Sequence, residues 1–222
     1  MRLKIPFDSV GTFLKRESRF TGVVLVDDVE TRVHIHNTGR LPILSEGKRV
    51  FLKRKKAQTR RTGWDLLAVE HEGELVFVHS GYHSITAEGI IEELFPNFEI
   101  TREKKLGNSR LDFLVDERIC IEVKGCTFRN ENVAMFPDAP TRRGTKHVRE
   151  LMRCVEKGFK AILLILVFLE SDCFSPNEEM DPDFAETFWM ARKKGVNVLI
   201  FRLKYDGEYL YSIGQLPICG EV

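Results

Sequence analysis

The chain lacks any long apolar run. Its longest strongly apolar stretch covers residues 161–169, which is too short to cross a bilayer as a helix. The first eight residues also lack the extended apolar segment of a secretory signal peptide. These two absences predict a protein with no membrane partner, and the expected location is the cytoplasm.

Cysteine is scarce and irregularly spaced. The chain has five cysteines, an odd number, and no Cys-x-x-Cys pair. This pattern argues against a disulfide framework and against a structural zinc site. We therefore expect reduced, partly buried thiols. The histidines other than His147 likewise show no spacing typical of metal ligands: His34, His36, His71, His79 and His83.

The composition is that of a folded protein. The chain has 222 residues, of which 43% are hydrophobic and 30% are charged. Its net charge of +1 is unevenly distributed, because residues 1–81 carry 15 Lys and Arg against 10 Asp and Glu. The basic front half predicts an anionic partner, and the acidic remainder, with its clustered carboxylates, predicts a metal ion.

The first 81 residues have an all-β pattern. Five strand-like runs are separated by turn-forming residues, and they cover residues 20–26, 31–36, 49–53, 64–69 and 75–79. Five short strands in about 80 residues favour an OB-like barrel, a fold that commonly binds nucleic acid.

Residues 82–222 have an α/β pattern. Helices are predicted at residues 84–95 and 145–157. A third helix is predicted to begin at Asp181 and Pro182, as N-cap and first helical residue, and to end at Gly195. Strands are predicted at residues 98–102, 110–115, 119–123, 161–169 and 196–203. The order indicates a mixed sheet flanked by helices, with the continuously apolar strand at 161–169 covered on both faces.

Three charged residues lie within two of these strand-like runs. Glu122 and Lys124 are two residues apart and so share a strand face, and a hairpin through residues 116–118 places Asp112 beside Glu122. Two such carboxylates suit Mg²⁺ or Mn²⁺, which polarises a phosphate, while Lys124 orients the attacking water or neutralises developing charge. The alternative is a surface ion pair between Glu122 and Lys124, with Asp112 at a turn.

A dense basic run lies between two of the barrel strands. The six cations in residues 53–61 are Lys53, Arg54, Lys55, Lys56, Arg60 and Arg61. A further cation, Arg40, follows the Asn-Thr-Gly turn at residues 37–39. On an OB-like barrel this loop would contact phosphates. The alternative is a solvated, charged hairpin.

The helix at 145–157 carries a polar face with further candidates. Lys146, His147 and Arg149 lie opposite its apolar stripe, where Lys146 and His147 would meet a scissile phosphate or a metal-bound water. They also fit the solvated face of an ordinary surface helix. Asp138, in the loop before this helix, is open to three interpretations: a ligand, an Asx-turn residue, or a determinant of loop shape.

Several segments together resemble one protein family. The segments at residues 109–113, 121–124 and 136–151, with the Asn-Thr-Gly turn at 37–39, are similar to signature blocks of the sugar fermentation stimulation protein A family. The resemblance spans the chain. It implies an OB-like domain joined to a restriction-endonuclease-like, PD-(D/E)xK domain, with DNA binding and an inferred nuclease activity.

The resemblance also assigns positions. Asp112, Glu122 and Lys124 match the core triad of that nuclease superfamily, and Glu88, on the preceding helix, matches its upstream acid, which could reach a metal through water. One departure is Leu111, where the superfamily has proline before the aspartate.

The sequence therefore predicts a DNA-binding, metal-dependent phosphodiesterase in two domains, 1–81 and 82–222. The rival is a non-cleaving DNA-binding regulator of sugar-utilisation genes that retains the nuclease fold, and a third possibility is action on RNA or another phosphate ester. Strand preference, base specificity and oligomeric state are not legible in the sequence.

Overall fold

The structure, a computed structural model, describes residues 1–55, 62–106 and 109–220. Its first part contains seven strands: β1 Arg2–Lys4, β2 Ser9–Ser18, β3 Thr21–Val26, β4 Val29–His34, β5 Arg49–Arg54, β6 Trp64–His71 and β7 Glu74–Phe77. Five of them form a closed barrel in the order β4-β3-β2-β5-β6, and a parallel contact between His34 and Asp65 joins β4 to β6. The predicted OB-like barrel is confirmed.

One barrel strand is not among those predicted. β2 was missed because only Phe13 of its ten residues is fully buried and the others are largely polar, so its apolar alternation is weak. The predicted strand at 75–79 exists as β7 but lies outside the closed barrel. β7 pairs with β6 and leads out of the barrel toward the rest of the chain.

The second part contains helices together with strands of two to nine residues. After a 3₁₀ turn at Ser80–Tyr82, its elements are α1 His83–Leu94, β8 Ile100–Arg102, β9 Lys105–Leu106, β10 Ser109–Arg110, β11 Phe113–Val115, β12 Ile119–Cys126, β13 Arg129–Asn130, β14 Val133–Phe136, α2 Arg142–Glu156, β15 Lys160–Val167, β16 Cys173–Pro176, α3 Pro182–Lys193, β17 Asn197–Tyr205 and β18 Tyr209–Gln215. β12, β15 and β17 are parallel, whereas β11 and β8 complete the sheet in antiparallel fashion.

The predicted helices and buried strand are present. β15 is buried from its second residue to its last, as expected for a strand covered on both faces. The side chain of Asp181 accepts a hydrogen bond from the N–H of Phe184 at 3.0 Å and begins α3, with Pro182 in the first turn. The predicted strand at 110–115 is interrupted, because β10 pairs with β9 and Leu111 and Asp112 separate it from β11.

The two parts share one sheet. β7 contacts β17 where Leu75 lies opposite Tyr205, and β1 pairs with β18, which itself pairs with β17. The N-terminal amino group also forms an ion pair with Glu93 on α1. The first strand of the chain therefore packs against the second domain, and the division at residue 81 stays a prediction. No helix of the described residues is long and apolar enough to span a membrane.

The prediction of reduced thiols is wrong for two of the five cysteines. Cys173, at the start of β16, is bonded to Cys219 near the C-terminus, 46 residues later. A bridge between Phe174 and Ile218 aligns these two segments, and the Cα atoms of the cysteines are 5.1 Å apart, which is within disulfide range. Cysteine spacing missed this pair because only the fold brings the two segments together. Cys120, Cys126 and Cys154 are free and buried, as predicted.

Candidate active site

The hairpin of β11 and β12 brings two carboxylates together. Its turn holds Asp116 and Glu117 at φ values of 49° and 50°, and the N–H of Arg118 donates to the carbonyl of Val115 at 3.0 Å. The resulting register aligns Phe113 with Ile121, so the next position along places Asp112 beside Glu122. Asp112 Oδ2 accepts a hydrogen bond from the N–H of Val123 at 2.8 Å. The predicted hairpin is therefore formed, and it fixes the orientation of Asp112.

Glu122 is buried, with 2% of its surface exposed, yet it carries a charge. Lys124 Nζ donates a hydrogen bond to Glu122 Oε1, and His147 Nδ1 contacts the same oxygen. Burial raises the pKa of Glu122, but the hydrogen bond to His147 and the charge on Lys124 outweigh burial and hold the pKa below its usual value. The carboxylate is thus ionised and shared by two basic groups.

Asp112 is in a less compensated position. Burial and the negative charge of Glu122 raise its pKa, and the hydrogen bond from Val123 only partly offsets them. Two like charges close together in a partly buried place are unfavourable unless a cation lies between them or close by. Asp112 and Glu122 thus form a pair of oxygen ligands in which Glu122 contacts two basic side chains and Asp112 is held by a backbone N–H.

This donor set fits Mg²⁺ or Mn²⁺. Both ions prefer oxygen ligands, and Mg²⁺ needs only one or two carboxylates because it keeps several waters. The carbonyl of Val123, the residue after Glu122 on β12, is a third oxygen, and it accepts a hydrogen bond from Lys124 Nζ at 3.3 Å. Glu88 lies apart from this set. It makes a two-bonded ion pair with Arg102, and it is not among the residues lining the adjoining cleft.

Helix α2 supplies the second basic group and starts beside the carboxylates. Thr141 is its N-cap, and its Oγ1 accepts from the N–H of Gly144 at 3.1 Å. The helix begins three residues before the predicted start, so Arg142 and Arg143 occupy its first turn. Arg143 Nε lies 3.4 Å from His147 Nε2. The positive end of the helix dipole and two guanidinium groups therefore lie near the carboxylate pair.

A cleft of about 790 Å³ joins the barrel to this site. From the barrel side it is lined by Arg19, Asn37, Thr38 and Gly39, and from the other side by residues that include Asp112, Glu122, Lys124, Arg142, Arg143 and His147. Arg19, Arg142 and Arg143 were not predicted as site residues. Arg142 and Arg143 do lie in the segment that resembles the family block, but nothing local distinguishes Arg19 from other surface cations.

Arg16 fixes the barrel loop that lines the cleft. Its guanidinium donates to the carbonyls of Asn37 and Gly39, both at 2.8 Å, and to that of Arg19 at 2.7 Å. One half-buried side chain thus gathers the two barrel segments that form this wall. The planar guanidinium suits this task because its donors point in fixed, diverging directions.

Asp138 attaches the same loop to the second domain. Its Oδ2 accepts a hydrogen bond from the N–H of Leu41 at 3.0 Å. Gly39 lies so close to this carboxylate that an added methyl group would overlap it. Of the three interpretations of Asp138, the geometry favours the one in which it determines loop shape.

The remaining basic candidates have partners of their own. Lys53 Nζ donates to the carbonyl of Pro6 at 2.7 Å, Arg54 lies over the Trp64 ring, and Lys55 Nζ is 3.6 Å from Asp65. Arg149 is exposed and forms an ion pair with Asp183 on α3. Three of the predicted nucleic-acid contacts, Lys56, Arg60 and Arg61, lie outside the described residues.

Arg40 and Lys146 are also exposed to solvent. Arg40 is exposed on the barrel loop, and Lys146 is exposed on α2, where it lines a smaller cavity of about 280 Å³ with Asp112 and His147. The structure therefore brings Asp112, Glu122, Lys124, His147 and Lys146 into one region, and it leaves Glu88 and Arg149 outside it.

Comparisons with known proteins match both parts of the chain. A family model described as "Sugar fermentation stimulation protein RE domain" matches residues 80–209, and one described as "SfsA N-terminal OB domain" matches residues 14–78. A sugar fermentation stimulation protein homolog of Thermotoga neapolitana is 65% identical over 222 residues, covering all of both chains. One from Methanococcoides burtonii is 39% identical over 235 residues, covering 99% of this chain and 95% of the relative.

A solved structure is similar over nearly the full length. It is described as "The structure of Pyrococcus Furiosus SfsA in complex with Ca2+". Its TM-score with this chain is 0.85 at 28% identity, and the match covers 99% of this chain and all of the other.

Proposed function

The chain belongs to the sugar fermentation stimulation protein family, and we propose that within it this protein binds DNA and hydrolyses phosphodiester bonds with Mg²⁺ or Mn²⁺. The observation that carries the proposal is the convergence of Asp112 and Glu122 in a cleft, with Lys124 and His147 both on the Glu122 carboxylate. A chain that only bound DNA would have no need of this buried, charged cluster, which is costly unless its members are compensated.

Asp112 and Glu122 would hold the metal ion. When bound, the ion polarises the phosphate and lowers the pKa of a coordinated water. Asp112 is already oriented by the N–H of Val123, and Glu122 lies on a strand within the sheet, so both carboxylates are positioned before any substrate arrives. The solved relative is described with Ca²⁺, a cation that also takes oxygen ligands, and this supports a carboxylate site in the family.

Lys124 and His147 would act on the reacting groups. Both contact Glu122 Oε1, so a cation bound to that oxygen would release them toward the cleft. We assign to Lys124 the orientation of the attacking water and the neutralisation of charge that develops on the phosphate. His147 adds a polar ring to the same side of the cleft, since it follows Arg143 by one helical turn on α2.

The cleft would hold the nucleic acid backbone. Arg19 approaches from the barrel, and Arg142 and Arg143 approach from the start of α2, where backbone N–H groups and the helix dipole also favour phosphate. Cations on both walls match a chain of phosphates that passes between the domains. RNA offers the same phosphates, so it is the alternative substrate.

The rival function is a non-cleaving DNA-binding regulator. The names of the relatives, which refer to stimulation of sugar fermentation, favour it. For such a regulator, the contacts of Lys124 and His147 with Glu122 would be permanent. The charged cluster would then contribute only to the folded structure. The two functions share the cleft and differ in what Glu122 does there.

Metal-dependent cleavage distinguishes them. We would incubate single- and double-stranded DNA and RNA with the purified protein in Mn²⁺, and compare the wild type with Glu122→Ala. A matched control is Glu156→Ala, because Glu156 lies on α2 but is exposed and pairs with Lys194 away from the cleft.

We expect cleavage by the wild type and by Glu156→Ala, and none by Glu122→Ala. Intact substrate with all three proteins, together with tight binding in a gel-shift assay, would instead establish the regulator. Cleavage that survives Glu122→Ala would contradict the assigned site.

A further inference from the structure

A second polar cluster lies at the point where the barrel closes. His36 follows β4, Asp65 is the second residue of β6, and His79 follows β7 just before the chain enters α1. One ligand atom from each residue lies within 4.8 Å of the other two. Asp65 and His79 are almost completely buried, with 1% and 4% of their surfaces exposed. Spacing along the chain gave no sign of this cluster because its members come from three separate segments.

The distances within the cluster are long for direct hydrogen bonds and match those between the ligands of one ion. The rings of His36 and His79 are stacked, with centroids 3.9 Å apart, so one ring must turn for both nitrogens to reach the same ion. Asp65 Oδ2 lies 3.5 Å from His36 Nε2 and 3.4 Å from His79 Nε2. Hydrogen bonds of this kind are usually about 2.7–3.2 Å long. Two ligand atoms that each lie 2.0–2.1 Å from a tetrahedral Zn²⁺ are themselves about 3.4 Å apart.

Unsatisfied nitrogens point the same way. Among the described residues, His36 Nε2 and His79 Nδ1 are buried without a hydrogen-bond partner. Leaving such atoms unpaired is costly, so an unpaired nitrogen that faces a buried carboxylate calls for a physical reason. A bound cation would explain the unpaired His36 Nε2, because that nitrogen would then be a ligand of the ion.

From this geometry we propose that His36, Asp65 and His79 bind one divalent transition-metal ion, with Zn²⁺ as the best fit. Two imidazole nitrogens and one carboxylate oxygen are typical Zn²⁺ ligands, and a water would fill the fourth position. Mg²⁺ is disfavoured because it prefers oxygen ligands, so the site differs in chemistry from the pair Asp112 and Glu122.

The ion would stabilise the junction between the barrel and the second domain. His36 and His79 each precede a residue of the cleft wall, Asn37 and Ser80, and Ser80 Oγ donates to the carbonyl of His36. Holding the two histidines on one ion therefore fixes both segments of the wall. We expect Zn²⁺ to raise the melting temperature of the protein, since binding to the folded state alone stabilises it.

Lys55 competes for the same carboxylate. Its Nζ lies 3.6 Å from Asp65 Oδ2, and its side chain is 44% exposed, so it is free to move into solvent when a cation arrives. Removing this positive charge must favour a metal ion at Asp65. This gives a test in which the variant gains affinity, which a merely damaged protein does not do.

The test uses the untagged, full-length chain carrying Glu122→Gln, which weakens the carboxylate pair of the other site. After treatment with a chelator, Zn²⁺ is titrated by calorimetry. His36→Ala and Lys55→Ala are compared in the same background, and His71→Ala serves as the matched control, since His71 is a half-buried histidine outside the cluster. Circular dichroism without metal establishes that each variant is folded.

We expect one equivalent of Zn²⁺ to bind. His36→Ala should weaken it by about tenfold or more, because even the groups that support a ligand are worth that much. Lys55→Ala should tighten Zn²⁺ binding by about fivefold, because the repulsion from one unit charge a few ångströms away in a medium of high dielectric constant changes the affinity by about that factor. His71→Ala should have no effect. Absence of Zn²⁺ binding, or binding that His36→Ala leaves unchanged, would overturn the proposal.

If His36→Ala does not fold, the visible absorption spectrum of bound Co²⁺ tests the proposed metal site instead. Co²⁺ is loaded in place of Zn²⁺ into the Glu122→Gln chain and its visible absorption is recorded. Intense bands, typical of four-coordinate Co²⁺ with nitrogen and oxygen ligands, would support the site. Only the weak bands of six-coordinate Co²⁺ would overturn it.

Discussion

The carboxylate of Asp138 accepts a hydrogen bond at 3.0 Å from the backbone N–H of Leu41, a residue 97 positions earlier in the chain. Leu41 is 1% exposed and has a φ of 49°, a conformation that non-glycine residues adopt at some cost. This one bond connects the loop before α2, which leads to His147, with the barrel loop that forms the opposite wall of the cleft. The bond therefore joins the two walls of the cleft directly, in addition to the sheet that the two parts share.

Asp138→Ala should destabilise the protein. The N–H of Leu41 would lose its partner in a buried position, and we expect the free energy of unfolding to fall by about 1–3 kcal/mol. Urea denaturation measures this. Asp138→Asn keeps an acceptor oxygen and should retain most of the stability, and Asp172→Ala, at an exposed aspartate, should change it little. An Asn variant as unstable as the Ala variant would show that charge, not the hydrogen bond, matters.

Lys124→Ala should separate binding from turnover. Because Lys124 contacts Glu122 through its side chain but supplies no oxygen ligand, Mn²⁺ and DNA should still bind. We expect the single-turnover cleavage rate to fall by about 10²-fold or more through loss of transition-state charge stabilisation. Calorimetry gives Mn²⁺ affinity, and Lys157→Ala, at an exposed lysine at the end of α2, is the control. Loss of metal binding in Lys124→Ala would refute the role assigned to it.

Arg142→Ala should reduce the salt dependence of DNA binding. Arg142 lines the cleft, and removing one phosphate contact should make the slope of log K against log salt shallower by about one. Arg149→Ala is a matched comparison on the same helix, because Arg149 pairs with Asp183 and does not line the cleft. Fluorescence anisotropy at several salt concentrations yields both slopes. Equal changes in the two variants would argue against the cleft as the binding surface.

Removing the bond between Cys173 and Cys219 should destabilise the chain. It closes a loop of 46 residues, and chain entropy predicts a loss of up to about 4 kcal/mol in the free energy of unfolding. The measurement compares the double variant, Cys173→Ser with Cys219→Ser, with the oxidised wild type. Dithiothreitol should lower the stability of the wild type and leave the double variant unchanged. If dithiothreitol leaves the free energy of unfolding of the wild type unchanged, the bond between Cys173 and Cys219 does not stabilise the chain and the prediction fails.

Much of the site was legible in the sequence because it is local. Asp112, Glu122 and Lys124 belong to one hairpin, and two rules decide their placement: residues two apart in a strand share a face, and a short turn sets the register. The start of α3 at Asp181 and Pro182 was readable for the same reason, since capping is decided within four residues.

Other features depend on segments that are distant in the chain. Arg19 joins the site because the barrel packs against the second domain, and β2 was missed because its stabilising contacts come from β3 and β5, not from its own apolar pattern. The interpretation of Asp138 was settled only by its contact with Leu41.

By itself, then, the sequence determined four of the five barrel strands, the helices α1, α2 and α3, and the hairpin that carries the acids, because short-range periodicity and turn geometry control each of them. Tertiary packing alone decided that His147 meets Glu122, that Cys173 meets Cys219, and that His36, Asp65 and His79 gather at the barrel's closure. The physical reason is that burial and pairing act between whichever surfaces come into contact, and no local pattern records which distant residues those will be.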